Sequence, residues 1–125
     1  MQYLGRMKFT LFLISLSLFG HHSLTAEFDL DKPVTLKGTV TQVEWMNPHA
    51  WIHVQTESGL WAVEVGAPNE LIRRGWSRGD LKQGSQVTIE AILAKKLART
   101  ANARSIVFPG GKKVFNGYAS EDAAK

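Results

Sequence analysis

Apolar and polar residues alternate along several short stretches of the chain, with the two-residue period that is typical of half-buried β-strands. The first clear stretch runs from Val34 to Val40, after which the phase slips before the alternation resumes at Val43. A slip of this kind near Gly38 indicates a β-bulge, which bends a strand and helps a small sheet to curl. We therefore predict a bulged first strand that begins after Pro33.

The same patterns predict the remaining elements. In chain order they are strands over residues 49–55 and 60–65, a helix over 70–76 capped by Asn69, strands over 87–93 and 103–108, and a short strand over 113–115. Asn69 is a favourable residue type for a helix N-cap. A polar excursion over residues 95–102 separates the last two long strands.

The predicted order is three strands, a helix and two further strands. This is the element order of the five-stranded Greek-key OB barrel, in which the helix lies between strands three and four. We therefore predict a mainly β fold, a small OB-like barrel of five to six strands with one short helix. Another small β-barrel or roll with one helix is the alternative.

The start of the chain predicts export. Arg6 and Lys8 precede an apolar run over residues 9–19, which is too short for a transmembrane helix of roughly 20 residues. We predict a signal peptide over residues 1–20, cleaved after Gly20 or alternatively after Ala26, with Met1 or Met7 as the start. The expected protein is periplasmic or secreted, without a transmembrane anchor after processing. A single domain over residues 21–117 and a loose tail over 118–125 complete the predicted organisation.

Composition narrows the possible functions. The chain has no cysteine, so disulfide bonds, thiolate metal ligands and a cysteine nucleophile are excluded. Its net charge is +4, and loss of Arg6 and Lys8 with the leader leaves +2. Nucleic-acid binders need a concentrated basic surface, so we expect no nucleic-acid partner. No Ser–His–acid arrangement is evident either, and we expect a protein without enzymatic activity.

Several short motifs occur together in this chain: His21-His22-Ser23, Val43-Glu44-Trp45, Asn47-Pro48-His49, Trp51-Ile52, Pro68-Asn69 and Thr100-Ala101-Asn102. In combination they resemble a family of small exported bacterial proteins, the domain of unknown function 6152. The resemblance covers essentially the whole predicted mature chain. It implies an exported domain without an assigned activity, and it supplies no catalytic residues.

His21 and His22 form the first candidate site. Cleavage after Gly20 would leave His21 at the N-terminus, where its amine and imidazole together could chelate copper. His22, or the more distant His49 or His53, could supply a further nitrogen. The hypothesis is a copper- or zinc-binding protein, with copper as the cofactor. A solvated terminal segment is the simpler alternative, and cleavage after Ala26 would exclude the copper site.

A second candidate site lies on the predicted second strand. Alternation places His49, Trp51 and His53 on the face opposite Ile52. The two histidines are four residues apart, roughly 13 Å along a strand, so one metal ion cannot bind both. We predict instead that His53 pairs with a carboxylate of a neighbouring strand, Glu64 in preference to Glu44. An ordinary cross-strand contact is the structural alternative.

Trp51 makes this face a candidate binding surface, since OB-type sheets bind ligands by stacking on outward aromatic side chains. We predict ligand-binding residues at Trp51, His49, His53 and Glu64. The expected protein is a non-enzymatic binding or accessory domain with an unknown protein or glycan partner. The alternative is that the excursion over residues 95–102, or the terminal segment, covers Trp51. Trp45 and Trp61 have the phase of core residues.

Overall fold

The computed structural model describes residues 23–77 and 79–116, which form two short helices and six strands. The elements are α1 (Ser23–Glu27), β1 (Phe28–Glu44), β2 (Trp51–Thr56), β3 (Gly59–Glu64), α2 (Pro68–Arg73), β4 (Gln86–Ala94), β5 (Thr100–Val107) and β6 (Lys113–Phe115). The predicted mainly β class is confirmed. The predicted signal peptide and C-terminal tail lie outside the described residues. No helix in the described part of the chain is long and apolar enough to cross a membrane.

The strands form one sheet in the order β3-β2-β1-β4-β5-β6. Neighbours in this order are antiparallel, and β3 also pairs with β5 in parallel. The pairings of β1 to β5 therefore form a closed ring. The helix α2 connects β3 to β4, where the sequence predicts a helix between the third and fourth strands.

Strand β1 begins at Phe28, so the prediction that it starts after Pro33 is wrong. Near Pro33 the strand pairs only with β4, because its pairing with β2 starts at Thr39. A proline lacks the donor that a second neighbour would need, so it is tolerated where one side of the strand is unpaired. The predicted bulge is confirmed by a register shift between Val40 and Gln42.

Gly38 allows β1 and β2 to approach closely. A Cβ atom at this position would lie 2.1 Å from the backbone oxygen of Gln55. Any other side chain would therefore force the two strands apart near the bulge. The glycine contributes a close contact between strands, in addition to the bend that the sequence pattern indicates.

Helix α2 begins at Pro68, two residues before the predicted start, and Asn69 is not its cap. Ala67 occupies the N-cap position without a side-chain hydrogen bond. Pro68 favours this start because its fixed φ suits the first helical position and its missing N–H is not needed there. The helix also ends early, and Gly75 turns the chain with a φ of 96°. Trp76 then enters the core from a loop.

The core lies between the inward faces of the strands. Ile52, Val54 and Val63 are completely buried, as their alternation predicts. Trp45 and Trp61 are partly buried and pack against this core, in agreement with their predicted phase. The inner face is thus filled with apolar side chains, and any site formed by the sheet must lie on its outer face.

Two strand limits differ from prediction in a way that matters for function. Strand β2 begins at Trp51 rather than His49, and β5 begins at Thr100 rather than Ala103. Residues 100–102 of β5 pair in parallel with residues 62–64 of β3. Such a pairing joins distant parts of the chain and leaves little local signal. It places Thr100 and Asn102 beside the outer face of β3.

Candidate ligand pocket on the outer face of the sheet

A row of side chains crosses the outer face of the sheet. Glu44 of β1 is opposite Trp51 of β2, and Trp51 is opposite Glu64 of β3. Glu64 is in turn the partner of Asn102 on β5. The strand neighbours of these residues lie in the core, so the row itself faces outward. The predicted placement of Trp51 and Glu64 on one face is therefore confirmed.

Part of this outer face is covered. Helix α1 lies against the connection between β4 and β5, where the Lys95 backbone N–H donates to the Glu27 carbonyl at 2.8 Å. The Lys95 ammonium donates to the Thr25 carbonyl at 2.5 Å. Phe28 and Ile92 are buried but lie outside the inner core cluster. The helix, the start of β1 and the connection therefore form a second, smaller apolar region over the sheet.

A cavity of about 470 Å³ lies within this covered region. Its apolar lining comes from α1, the start of β1, β2, the end of β4 and the β4–β5 connection: Ala26, Phe28, Trp51, Ala94 and Leu97. Its polar lining comes from Glu27, Glu64, Lys96 and Thr100. Small-molecule sites are typically apolar clefts of about 300–1,000 Å³ with a few polar groups. Both the size and the lining of this cavity fit that description.

Glu64 is the buried carboxyl group of the cavity, with a side chain that is 8% exposed. Burial raises its pKa from 4.5 to about 7, and the charge of Glu27 adds to the effect. The Nδ1 atom of His49 lies 2.9 Å from Oε1 of Glu64. A proton on His49 would act in the opposite direction, because it favours the ionised carboxylate.

The prediction that His53 pairs with Glu64 in preference to Glu44 is wrong, because His53 pairs with Glu44. Its Nε2 atom lies 3.1 Å from Oε2 of Glu44. Glu44 and Glu64 lie opposite Trp51 on the two strands that flank β2. Neither contacts a histidine directly opposite it: Glu64 contacts His49 and Glu44 contacts His53, each along a diagonal of the sheet. Sheet twist makes the two diagonals unequal, and both pairs use the same one.

A family model, described as a family of unknown function (DUF6152), matches residues 10–105. The chain belongs to the DUF6152 family. This match confirms the resemblance carried by the sequence motifs. A comparison with curated proteins finds no match to the chain.

Two solved structures resemble this DUF6152 member. The crystal structure of TiaS in complex with a tRNA and ATP matches with a TM-score of 0.50 and 19% identity, over 65% of this chain and 19% of that chain. A ZRD-deleted mutant of TiaS in complex with agmatine matches with a TM-score of 0.45 and 22% identity, over 59% and 20% of the two chains. The DUF6152 chain thus spans about a fifth of each TiaS chain. At this identity the first likeness concerns the fold alone.

The metal hypothesis for this DUF6152 member remains a prediction. His21 and His22 lie outside the described residues. Within residues 23–77 and 79–116, no group of three or more histidine, aspartate or glutamate side chains could hold a metal ion. His49 and His53 contact different carboxylates.

Several lining residues were not among the predicted site residues. Glu27 and Phe28 precede the predicted start of the first strand, and Leu97 and Thr100 belong to the excursion over residues 95–102. The alternative that this excursion covers Trp51 is supported, because Leu97 and Trp51 border the same cavity. Asn102 is also buried, and its Nδ2 has no hydrogen-bond partner among the described residues. The motif Thr100-Ala101-Asn102 was the sequence feature that could have indicated this part of the site.

Proposed function

We propose that this DUF6152 member is an exported, non-enzymatic binding domain that holds a small molecule in the cavity beside Trp51 and Glu64. An OB-like barrel is the fold that best accounts for the ring of pairings from β1 through β2, β3, β5 and β4 back to β1. The apolar run over residues 9–19 supports export through a signal peptide.

The observation that carries the proposal is the buried carboxyl group of Glu64 in a cavity with mostly apolar walls. A carboxyl group in such a place opposes folding, since burial disfavours its charged form. An apolar residue would fill the same position without this cost. A buried titratable group with a shifted pKa inside a cleft is the usual mark of a functional site.

The cavity lies at a different place along β2 from the binding surface that the sequence predicts. The sequence centres it on Trp51 and His53, whereas the cavity is lined by Trp51 and Glu64 and does not include His53. His49 takes part by holding the Glu64 carboxyl. The cover provided by α1 and the β4–β5 connection favours a small molecule over a folded protein partner, because the site is recessed rather than flat.

The test is native mass spectrometry of the protein purified from the periplasm, combined with a fragment screen by thermal shift. We expect a mature chain beginning at His21, which retains α1 and Ala26, and fragments that raise the melting temperature. Ala26→Trp places an indole in the cavity and should abolish that stabilisation. Ile72→Trp is the matched control, because Ile72 is half-exposed on α2 and does not line the cavity. Equal responses of the two variants would contradict the proposal.

A further inference from the structure

We propose that the ligand of this cavity is an organic cation, an ammonium group carried on an aromatic or similarly apolar body. The inference rests on the proposed function and specifies the chemistry that the cavity recognises. It follows from the charges, the walls and the orientation of the buried carboxyl group.

The charges that line the cavity favour a cation. Two carboxylates, Glu27 and Glu64, are close enough for one to raise the pKa of the other. A bound ammonium group relieves their repulsion, an uncharged ligand leaves it unchanged, and an anion adds to it. Lys96 also lines the cavity, with an exposed side chain. A long lysine side chain can keep its ammonium in solvent while its stem lies against an apolar wall.

The walls of the cavity suit the rest of such a ligand. Trp51 and Phe28 both contribute aromatic side chains to the lining. Aromatic faces attract cations and also pack well against an apolar body. Leu97 completes the apolar side at the rim, and it is one of the most exposed large hydrophobic residues in the described part of the chain. A ligand that covered Leu97 would remove this apolar surface from water.

His49 orients the carboxyl group toward the ligand. Its contact engages Oε1 of Glu64, and we assign Oε2 as the acceptor for the ammonium group. Within the described part of the chain, the titratable groups placed around Glu64 are Glu27 on α1, His49 before β2 and Lys96 on the β4–β5 connection. Strand β5 contributes Thr100 and Asn102, which do not titrate. Cation binding should therefore displace a proton from Glu64, whose pKa is raised by burial.

The experiment is isothermal titration calorimetry of the mature protein with three matched probes: 1-naphthylmethylamine, 1-naphthalenemethanol and 1-naphthoate. At about pH 8 we expect the amine to bind at least about tenfold more tightly than the alcohol, and the acid to bind most weakly. Amine affinity should rise as the pH increases from about 5.5 to about 8, because Glu64 ionises, while alcohol affinity stays nearly constant.

Glu64→Gln separates the cation hypothesis from the cavity itself. The amide is nearly isosteric, so the alcohol should bind within about twofold of its original affinity while amine affinity falls about tenfold or more. Glu44→Gln is the control, since Glu44 makes a similar contact with His53 but does not line the cavity. Circular dichroism and thermal melting show that each variant is folded.

Three results of these experiments would overturn different parts of the proposal. If the alcohol binds as tightly as the amine, the cation hypothesis is overturned and the cavity remains a binding site. If Glu44→Gln weakens amine binding as much as Glu64→Gln does, the assignment of Glu64 is overturned. If none of the three probes binds, and no fragment stabilises the protein in the thermal screen, both the inference and the proposed function fail.

Discussion

Two Glu–His pairs flank Trp51, and they differ mainly in what covers them. Glu64 and His49 are 2.9 Å apart, and Glu44 and His53 are 3.1 Å apart, with the same residue types on the same diagonal of the sheet. The Glu64 side chain is 8% exposed, whereas the Glu44 side chain is 41% exposed. Glu64 lines the cavity beneath α1 and the β4–β5 connection, and Glu44 does not.

This contrast shows that two pairs with the same residue types and similar contact distances can have very different environments. A solvent-exposed ion pair is hydrated and contributes little to stability or selectivity. The same pair under an apolar cover has a shifted pKa and stronger electrostatic interactions, since less water screens the charges. The cover, built from α1 and the connection, is therefore what distinguishes the Glu64 pair.

The largest expected difference between the pairs comes from reversing one charge in each. Glu64→Lys places a buried cation beside His49 and should lower the free energy of unfolding by about 2–4 kcal/mol. Glu44→Lys should lower it by less than about 1 kcal/mol, because water solvates the new charge. Urea unfolding at neutral pH measures both values. Similar losses for the two variants would show that the cover does not exclude water.

The pH dependence of stability should come from Glu64. Its pKa is about 7 in the folded protein and close to 4.5 when unfolded, so the folded state binds more protons between these values. Stability should therefore fall as the pH rises from about 4.5 to about 7, by about 1–3 kcal/mol.

Urea unfolding over this pH range checks the assignment. Glu64→Gln should flatten this part of the stability profile, whereas Glu44→Gln should leave it in place. An unchanged slope in Glu64→Gln would assign the protons to another group.

Loosening the cover should make the two pairs more alike. Lys95→Met removes the ammonium that donates to the Thr25 carbonyl and helps to hold α1 in place. We expect faster amide hydrogen exchange in α1, a Glu64 pKa that moves toward 4.5, and a stability loss of about 1 kcal/mol. Lys37→Met, an exposed change on β1, is the control. An unaltered Glu64 titration in Lys95→Met would show that this hydrogen bond does not maintain the cover.

The smallest expected effect belongs to the exposed pair. Glu44→Gln should change the free energy of unfolding by less than about 0.5 kcal/mol. This small change should shrink further at high salt, which screens exposed charges most strongly. A salt-independent loss above about 1 kcal/mol would mean that Glu44 is stabilised in a way that its exposure does not suggest.

Much of the sheet could be predicted from local periodicity, but the segments that cover its outer face could not. The bulge after Val40 and the outward position of Trp51 both follow from a two-residue alternation. Phe28 and Leu30 also alternate with polar residues, yet Pro33 suggests a strand start and conceals the continuity of β1. The proline is tolerated because its outer side is unpaired, which depends on strand order and not on local sequence.

Only part of the candidate site was predictable: Trp51 and Glu64 were predicted, whereas the residues that α1 and the β4–β5 connection contribute, and the partner of each carboxylate, were not. Trp51, His49 and Glu64 stand out as a tryptophan, a histidine and a carboxylate on one predicted face. Which histidine each carboxylate contacts depends on the twist of the folded sheet. The parallel pairing of β3 with the start of β5 brings Thr100 and Asn102 to the site, and it joins segments nearly forty residues apart.

The most direct test of the account is nuclear magnetic resonance of the tryptophan indole N–H groups during titration with 1-naphthylmethylamine. The chain contains four tryptophans, and only Trp51 lines the cavity. Assignment by Trp51→Phe identifies its signal in the spectrum of the free protein. We predict a saturable shift of the Trp51 indole signal, with those of Trp45, Trp61 and Trp76 nearly unchanged. A shift confined to the other indoles, or no shift at saturating amine, would contradict a ligand site beside Trp51 and Glu64.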